Sequence, residues 1–237
     1  MIRIEGLRKS YGSLGVLHGI DAELPTGRVT AIVGPNAAGK TTLMKCILGL
    51  TRPDGGTIHV DGERVNGDVL YRRRIGYMPQ SAQFPSNLTG AELLAMLKGI
   101  RPDALSLDED LITAFGLETE LSKKVSTLSG GSRQKINAVA AFLFRPAHVF
   151  LDEPTAGLDP RASSILKDKI LAGRGERRSF IITSHVMAEL EELADDLIFL
   201  SDGRVRFSGS IHEIKEITRQ ANLERAIARL MERGVAA

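Results

Sequence analysis

Residues able to do chemistry are concentrated in a few short stretches. Gly34-Pro35-Asn36-Ala37-Ala38-Gly39-Lys40-Thr41 fits G-x-x-x-x-G-K-[ST], the spacing of a loop that wraps phosphate oxygens in backbone N–H groups. On that reading Gly34, Asn36, Ala37, Ala38, Gly39, Lys40, Thr41 and the following Thr42 contact a phosphate-bearing ligand. Lys40 supplies a point charge for its terminal phosphates, and the Thr41 hydroxyl ligates Mg²⁺. Free N–H groups at a helix start favour negative charge in the same place. Val149-Phe150-Leu151-Asp152-Glu153 is an apolar run ending in two carboxylates. A buried strand that delivers acids to its carboxyl end suits Asp152 to holding Mg²⁺ and Glu153 to polarising an attacking water. Ser179–Thr183 is a second such run, ended by Ser184-His185. A lone histidine is usually structural, but its place at the ligand edge gives His185 a polar role toward a γ-phosphate.

Three further features are open on the residues alone. Tyr11 precedes the loop and could stack on adenine, or simply pack at a strand end. Ile75-Gly76-Tyr77-Met78-Pro79-Gln80 is an apolar strand finished by an amide. Leu128-Ser129-Gly130-Gly131-Ser132 opens a helix, with Ser129 as its cap and two glycines that let a backbone come close to a ligand. An ordinary cap is the better reading of that segment by itself. As an anion site it is separated from the phosphate loop by a long insert, which argues against one nucleotide using both within a single chain.

The elements that must position these residues follow from periodicity. Residues 2–33 read as strands with turns at Gly6, Gly12, Gly15 and Gly27, and 42–48 as the helix after the loop. Residues 56–60 and 74–79 read as strands, with Tyr71-Arg72-Arg73-Arg74 between them as a solvated charged face. Residues 89–99 and 106–115 read as helices capped by Thr89 and Ser106, each with an acid three places on. Residues 132–144 form another helix, and 195–209 a hairpin turning at Asp202-Gly203. Residues 154–160 are a rigid turn. A C-terminal amphipathic helix is expected over about 211–233, packed on its own chain, with a partner surface as the alternative.

With 237 residues, 43% hydrophobic and 25% charged, the composition is that of an ordinary globular chain. The formal net charge of +2 makes no demand for nucleic acid or a membrane surface. Cys46, the single cysteine, excludes an internal disulfide and reads as a small core residue. No apolar run is long enough to span a bilayer, and the N-terminus is no signal peptide, so a soluble, intracellular protein is expected. His18, His59, His148 and His212 lack ligand-like spacing, leaving Mg²⁺ as the expected metal.

Taken in order, Tyr11, residues 34–41, Gln80, Leu128-Ser129-Gly130-Gly131, Leu151-Asp152-Glu153-Pro154, Leu158-Asp159 and Ser184-His185 resemble the A-loop, Walker A, Q-loop, signature, Walker B, D-loop and H-loop of ATP-binding-cassette (ABC) transporter nucleotide-binding subunits. The resemblance covers residues 1 to about 210. It implies an α/β fold: a P-loop NTPase core of the ABC ATPase type, with an antiparallel β subdomain and a helical subdomain of about 85–145, in a single domain over 1–237. It implies ATP and Mg²⁺, with Thr41, Gln80 and Asp152 on the metal and Glu153 and His185 catalytic. It also implies a head-to-tail homodimer in which Ser129, Gly130, Gly131 and Asp159 reach the partner's ATP, and an integral membrane permease that would hold the subunit on the inner face of the cell membrane. Nucleic acid is not expected; a soluble ABC ATPase acting on nucleic acid or ribosomes is the alternative. Gly76–Gln80, Phe84–Thr89 and Gly131–Asn137 further resemble the ATPase of Nos-type systems, which assist maturation of a copper enzyme, and the tail resembles wider ABC-2-type exporters. Ala37 departs from the family's usual glycine, which implies weaker nucleotide binding if that backbone requires φ > 0. Ser132 replaces the usual glutamine at a variable position.

Overall fold

The computed structural model describes residues 1–65, 67 and 69–234; residues 235–237 of the single domain expected over 1–237 lie outside them. An antiparallel sheet joins β1 (Ile2–Tyr11), β2 (Leu14–Leu24), β4 (Gly55–Val60) and β5 (Glu63–Arg64) in the order β2-β1-β4-β5. A larger sheet joins β3 (Val29–Val33), β6 (Ile75–Met78), β7 (His148–Asp152), β8 (Ser179–Thr183), β9 (Asp196–Ser201) and β10 (Arg204–Ser210) in the order β10-β9-β3-β8-β7-β6. All its neighbours run parallel except β10, which returns against β9.

The period-two pattern of the parallel strands builds two cores at once. Val29, Ala31 and Val33 of β3, Val149 and Leu151 of β7, and Phe180 and Ile182 of β8 pack into one cluster with the helices. Ile32, Phe150, Ile181 and Ile198, from the opposite faces, join the antiparallel sheet in the other. Into this second cluster goes α1 (Lys40–Ile47), through Leu43, Met44, Cys46 and Ile47. Each large apolar side chain fully buried there contributes about 1.5–3 kcal/mol. The helix after the phosphate loop is thus held from both sides. Cys46 is fully buried, and burial pushes its thiol up to about 11, in keeping with a core role.

The helical insert contains α2 (Gly90–Ile100), α3 (Asp110–Phe115) and α4 (Gly130–Phe142). Thr89 caps α2 as its sequence foretells: Glu92 N–H donates to Thr89 Oγ1 at 3.2 Å, and Thr89 N–H to Glu92 Oε2 at 2.8 Å. The second helix departs from expectation. It begins after Glu109, whose side chain makes no capping bond, and Ser106 is not its cap. Gly6 and Gly15 are not turns either. Gly6, at φ +57°, sits where β1 slips register against β2, and Gly15 is paired inside β2.

Residues 70–74 form a 3₁₀ turn whose Arg72 and Arg73 are exposed, as expected of a solvated charged face, while Tyr71 departs from that reading. Tyr71 is buried and donates to Ile47 C=O at 3.2 Å; Arg72 donates to Gly49 C=O at 2.6 Å. Arg74 bridges Asp61 and Glu63. Two helices had no counterpart in the sequence reading: α5 (Pro160–Gly175) and α6 (Met187–Leu193). The C-terminal segment is two helices, α7 (Ile211–Thr218) and α8 (Leu223–Gly234), because Arg219 turns left-handed at φ +55°. Their apolar faces enter the helical core through Ile214, Leu223, Ala226 and Ile227. No helix among the described residues is long and apolar enough to cross a membrane.

Candidate functional site

Five parallel strands end on one edge of the large sheet, and the residues just beyond them meet there. β3 runs into the phosphate loop, β6 leads to Gln80, β7 ends in Asp152-Glu153, β8 leads to His185, and β9 turns at Asp202-Gly203. Together with Tyr11 they border a cleft of about 770 Å³ that also takes in Asn36, Ala37, Gly39, Lys40, Thr41 and Thr42.

Close approach explains two of the loop's glycines. A Cβ on Gly34 would sit 2.1 Å from Leu200 O, and one on Gly39 would sit 2.7 Å from Leu17 Cδ2. Ala38 turns its side chain into the core and closes the turn with its N–H on Pro35 C=O at 3.2 Å. Of the loop residues expected to contact ligand, Gly34 and Ala38 do not border the cleft. Lys40 Nζ donates to Gly34 C=O at 2.7 Å and Pro35 C=O at 3.0 Å. Burial pushes the Lys40 ammonium below its ordinary range, while Glu153 and Asp152 act to hold it up.

Ala37 stands at φ +63°, a left-handed conformation that costs a non-glycine residue about 1–2 kcal/mol. The positive φ on which weaker nucleotide binding was conditional is thus present, and the same strain weighs on folding. Ala37→Gly relieves it but adds about 0.4–1 kcal/mol of unfolded-chain entropy. The variant is expected to be more stable by about 0.5–1 kcal/mol, with ATP affinity changed less than about threefold. Denaturant unfolding and titration calorimetry check the two halves.

At the acid end of the cleft, Thr183 Oγ1 donates to Asp152 Oδ1 at 2.5 Å. Glu153 sits at φ +51°, with its N–H on Thr183 C=O at 3.0 Å. Strained backbone of this kind persists only where the surroundings over-determine it, and it clusters at functional sites. His185 reaches the same carboxylate twice: Nε2 lies 3.4 Å from Oε1, and the backbone N–H donates to Oε2 at 3.3 Å. Burial raises the Glu153 carboxyl above its ordinary range, with His185 pulling the other way. Thr41, Gln80 and Asp152 border the same cleft, a hydroxyl, an amide and a carboxylate. This all-oxygen set fits a hard cation such as Mg²⁺. No group of three or more acidic, histidine or cysteine ligands occurs among the described residues, so phosphate and water oxygens must complete any such shell.

Ser129, Gly130, Gly131 and Asp159 do not border this cleft. Ser129 caps α4, accepting Ser132 N–H at 3.0 Å. Asp159 caps α5 through Ala162 N–H at 2.8 Å and pairs with Lys135 Nζ of α4 at 3.0 Å. A Cβ on Gly131 would lie 3.2 Å from Gly157 O. The four residues therefore belong to one separate cluster. α4 also touches the cleft's rim indirectly: Asn137 Nδ2 donates to Pro79 C=O, next to Gln80, at 2.8 Å.

Leu14, Val16, His18, Thr183, Asp202 and Gly203 also border the cleft and had no functional reading in the sequence. His18 N–H donates to Gly203 C=O at 2.9 Å, and a Cβ on Gly203 would lie 2.2 Å from Val16 O. Arg204 Nη1 donates to His18 C=O at 3.1 Å, so β2 and the β9–β10 turn meet through tertiary contacts. The Asp202-Gly203 dipeptide was the one local signal.

With this geometry in place, comparison with known proteins is decisive: the family model described as ABC transporter matches residues 17–156. The chain belongs to the ABC transporter family. It is 31% identical over 245 residues to the probable amino-acid import ATP-binding protein YxeO of Bacillus subtilis, covering 98% of each chain. It is 35% identical over 219 residues to the daunorubicin/doxorubicin resistance ATP-binding protein DrrA of Streptomyces peucetius, covering 90% of this chain but 66% of that one. The Nod factor export ATP-binding protein I of Ralstonia nicotianae is 32% identical, with 90% and 68% covered. A solved ATP-binding subunit of an ABC transporter superposes with a TM-score of 0.89 at 29% identity over 98% of this chain and 99% of that one. The ABC ATPase cassette fold expected from the motifs is the fold observed, and the chain is an ABC transporter ATP-binding subunit.

Proposed function

We propose that this ABC subunit is the ATP-hydrolysing motor of a transporter, closing as a homodimer on two ATP molecules and driving a separate membrane permease. The observation that carries the reading is the split of anion-binding elements. The phosphate loop, Asp152, Glu153 and His185 share one cleft, whereas the Ser129–Gly131 helix start stands outside it. A second copy placed head to tail would bring its Ser129, Gly130, Gly131 and Asp159 to the first copy's γ-phosphate. A solved cassette of the same fold, 22% identical with a TM-score of 0.77, is described as a dimer in a post-hydrolysis state bound to ADP and Pi.

Within one cleft, Tyr11 would stack on the adenine and Lys40 would leave the Gly34 and Pro35 carbonyls for the terminal phosphates. Mg²⁺ held by Thr41, Gln80 and Asp152 would neutralise phosphate charge. Glu153 would take the proton of the attacking water, and His185, already against Glu153, would contact the γ-phosphate. Because ATP bridges two chains and ADP alone does not, binding becomes closure, and hydrolysis with product release becomes opening. The motion would pass to the permease through α2, where Met96 and Ile100 are exposed, and through the groove at Gln80. That partner would hold the subunit at the inner face of the membrane.

The two relatives named for drug resistance and Nod factor export favour an exporter of the ABC-2 type. The Nos-type likeness of Gly76–Gln80 and Gly131–Asn137 is a narrower case within it. A role on nucleic acid fits the net charge of +2 poorly.

Lys40→Ala tests the nucleotide site. Lys40 is the only lysine or arginine bordering the cleft among the described residues, and each charge-assisted bond it makes to phosphate is worth about 1.5–3 kcal/mol. Calorimetry is expected to find ATP binding lost; wild-type affinity would sink the assignment.

A further inference from the structure

Glu189 lies on α6 and is 6% exposed, a burial that a carboxyl group tolerates only with partners. Its Oε2 accepts two hydroxyl hydrogen bonds, from Thr155 Oγ1 and from Ser184 Oγ, each at 3.0 Å. Thr155 belongs to the turn that follows Glu153, and Ser184 immediately precedes His185. The Ser184 oxygen in turn accepts Val186 N–H at 3.1 Å, so one side chain brackets His185 from both sides.

This arrangement exceeds what anchoring α6 requires. Leu190 and Leu193 are fully buried on the same helix and dock it without polar groups. An apolar residue at 189 would avoid the desolvation cost of a carboxyl group. The two turns it joins, by contrast, need restraint. The His185 side chain is 60% exposed, so the placing of the imidazole depends on its backbone and hence on Ser184. Glu153 holds a left-handed backbone at φ +51°, which relaxes unless its neighbours fix it.

We propose that Glu189 is a positioning residue of the hydrolytic site. Its buried carboxyl group ties the turn behind Glu153 to the turn that presents His185, and so maintains the 3.4 Å approach of His185 Nε2 to Glu153 Oε1. The proposal rests on the reading of Glu153 and His185 given above. It also reaches further along the chain. Thr155 begins the turn whose Gly157 lies against Gly131 and whose Asp159 pairs with Lys135. The carboxyl group that holds His185 thus also holds the base of the segment beside the Ser129–Gly131 cluster.

Steady-state ATP hydrolysis by the full chain tests it, with Glu189→Ala, Glu189→Gln, His185→Ala and the His185→Ala/Glu189→Ala double variant. Glu189→Ala is expected to lower kcat at least about tenfold with KM for ATP within about twofold, the mark of an interaction that matters in the transition state. Glu189→Gln, whose amide oxygen still accepts both hydroxyls, should stay within about threefold of wild type. On the His185→Ala background, Glu189→Ala should remove less than about threefold more, because residues acting through one another are not additive. Full additivity, or a raised KM with unchanged kcat, overturns the proposal. Should Glu189→Ala fail to fold, Thr155→Val and Ser184→Ala each delete one hydroxyl; both retaining wild-type kcat overturns it equally. Glu153→Gln is measured in parallel. If that variant hydrolyses ATP normally, the reading of the site fails; if it is inactive while Glu189→Ala keeps full kcat, only the positioning role fails.

Discussion

Glu153→Gln will bind ATP and scarcely hydrolyse it. The side chain stands at the carboxyl end of β7, one residue past Asp152, with His185 3.4 Å away. On the proposed reading its carboxylate is the proton acceptor for a water beside the γ-phosphate, and burial makes it more basic than an exposed glutamate. An amide keeps an oxygen for the His185 backbone N–H but cannot take the proton. Loss of a general base costs about 10²–10⁴-fold in rate, whereas Lys40 and the loop that hold the phosphates are untouched. Titration calorimetry should therefore return near wild-type ATP affinity while phosphate release, measured with the permease present, falls at least about a hundredfold. Near-normal turnover would move the catalytic role to another residue.

The same protein should also change its state of assembly, and Ser129 decides the outcome. Without nucleotide, Glu153→Gln is expected to sediment as a monomer. With Mg-ATP it should sediment as a dimer, since each γ-phosphate then gains donors from the partner's α4 start at about 1.5–3 kcal/mol per charge-assisted bond. Adding Ser129→Arg should abolish that dimer. The position is exposed at the head of α4, so arginine places bulk where two surfaces must close. Loss of the cap costs about 0.5–2 kcal/mol, a fraction of the 5–15 kcal/mol typical of a folded domain, and circular dichroism checks that the fold survives. ATP binding by one chain should persist, because the phosphate loop lies in a different cluster. A double variant that still dimerises with ATP would show that Ser129 takes no part in the shared site, and the closing motion would lose its trigger.

What the sequence disclosed was chemistry written in a few neighbouring residues. The phosphate loop, the Thr89–Glu92 capping box, the Asp202-Gly203 turn and the apolar run of β8 all obey local rules, and all fold as those rules require. Elements decided at a distance stayed hidden. α5 was missed because Asp159-Pro160 closes a turn and starts a helix with the same two residues. Arg72 and Arg74 do lie on a charged, solvated turn, but nothing local says that Gly49 C=O, Asp61 and Glu63 wait for them. The left-handed backbone of Glu153 is invisible in residue types, because no glycine marks it. Separation of Ser129–Gly131 from the phosphate loop was expected from the insert between them and is observed. Chain distance alone does not decide it, since Asp152 and His185 lie farther along and share the loop's cleft.

The contact between His18 N–H and Gly203 C=O bears on what the cleft can measure. Tyr11, Leu14, Val16 and His18 ride on the antiparallel sheet; Lys40, Asp152, Glu153 and His185 ride on the parallel one. That backbone bond is one of the joints between two jaws, each carried by its own sheet. On the proposed reading, a nucleoside without phosphates would touch one jaw and bare triphosphate the other. A whole nucleotide would then span the joint, and the cleft would act as a caliper for the length of its ligand.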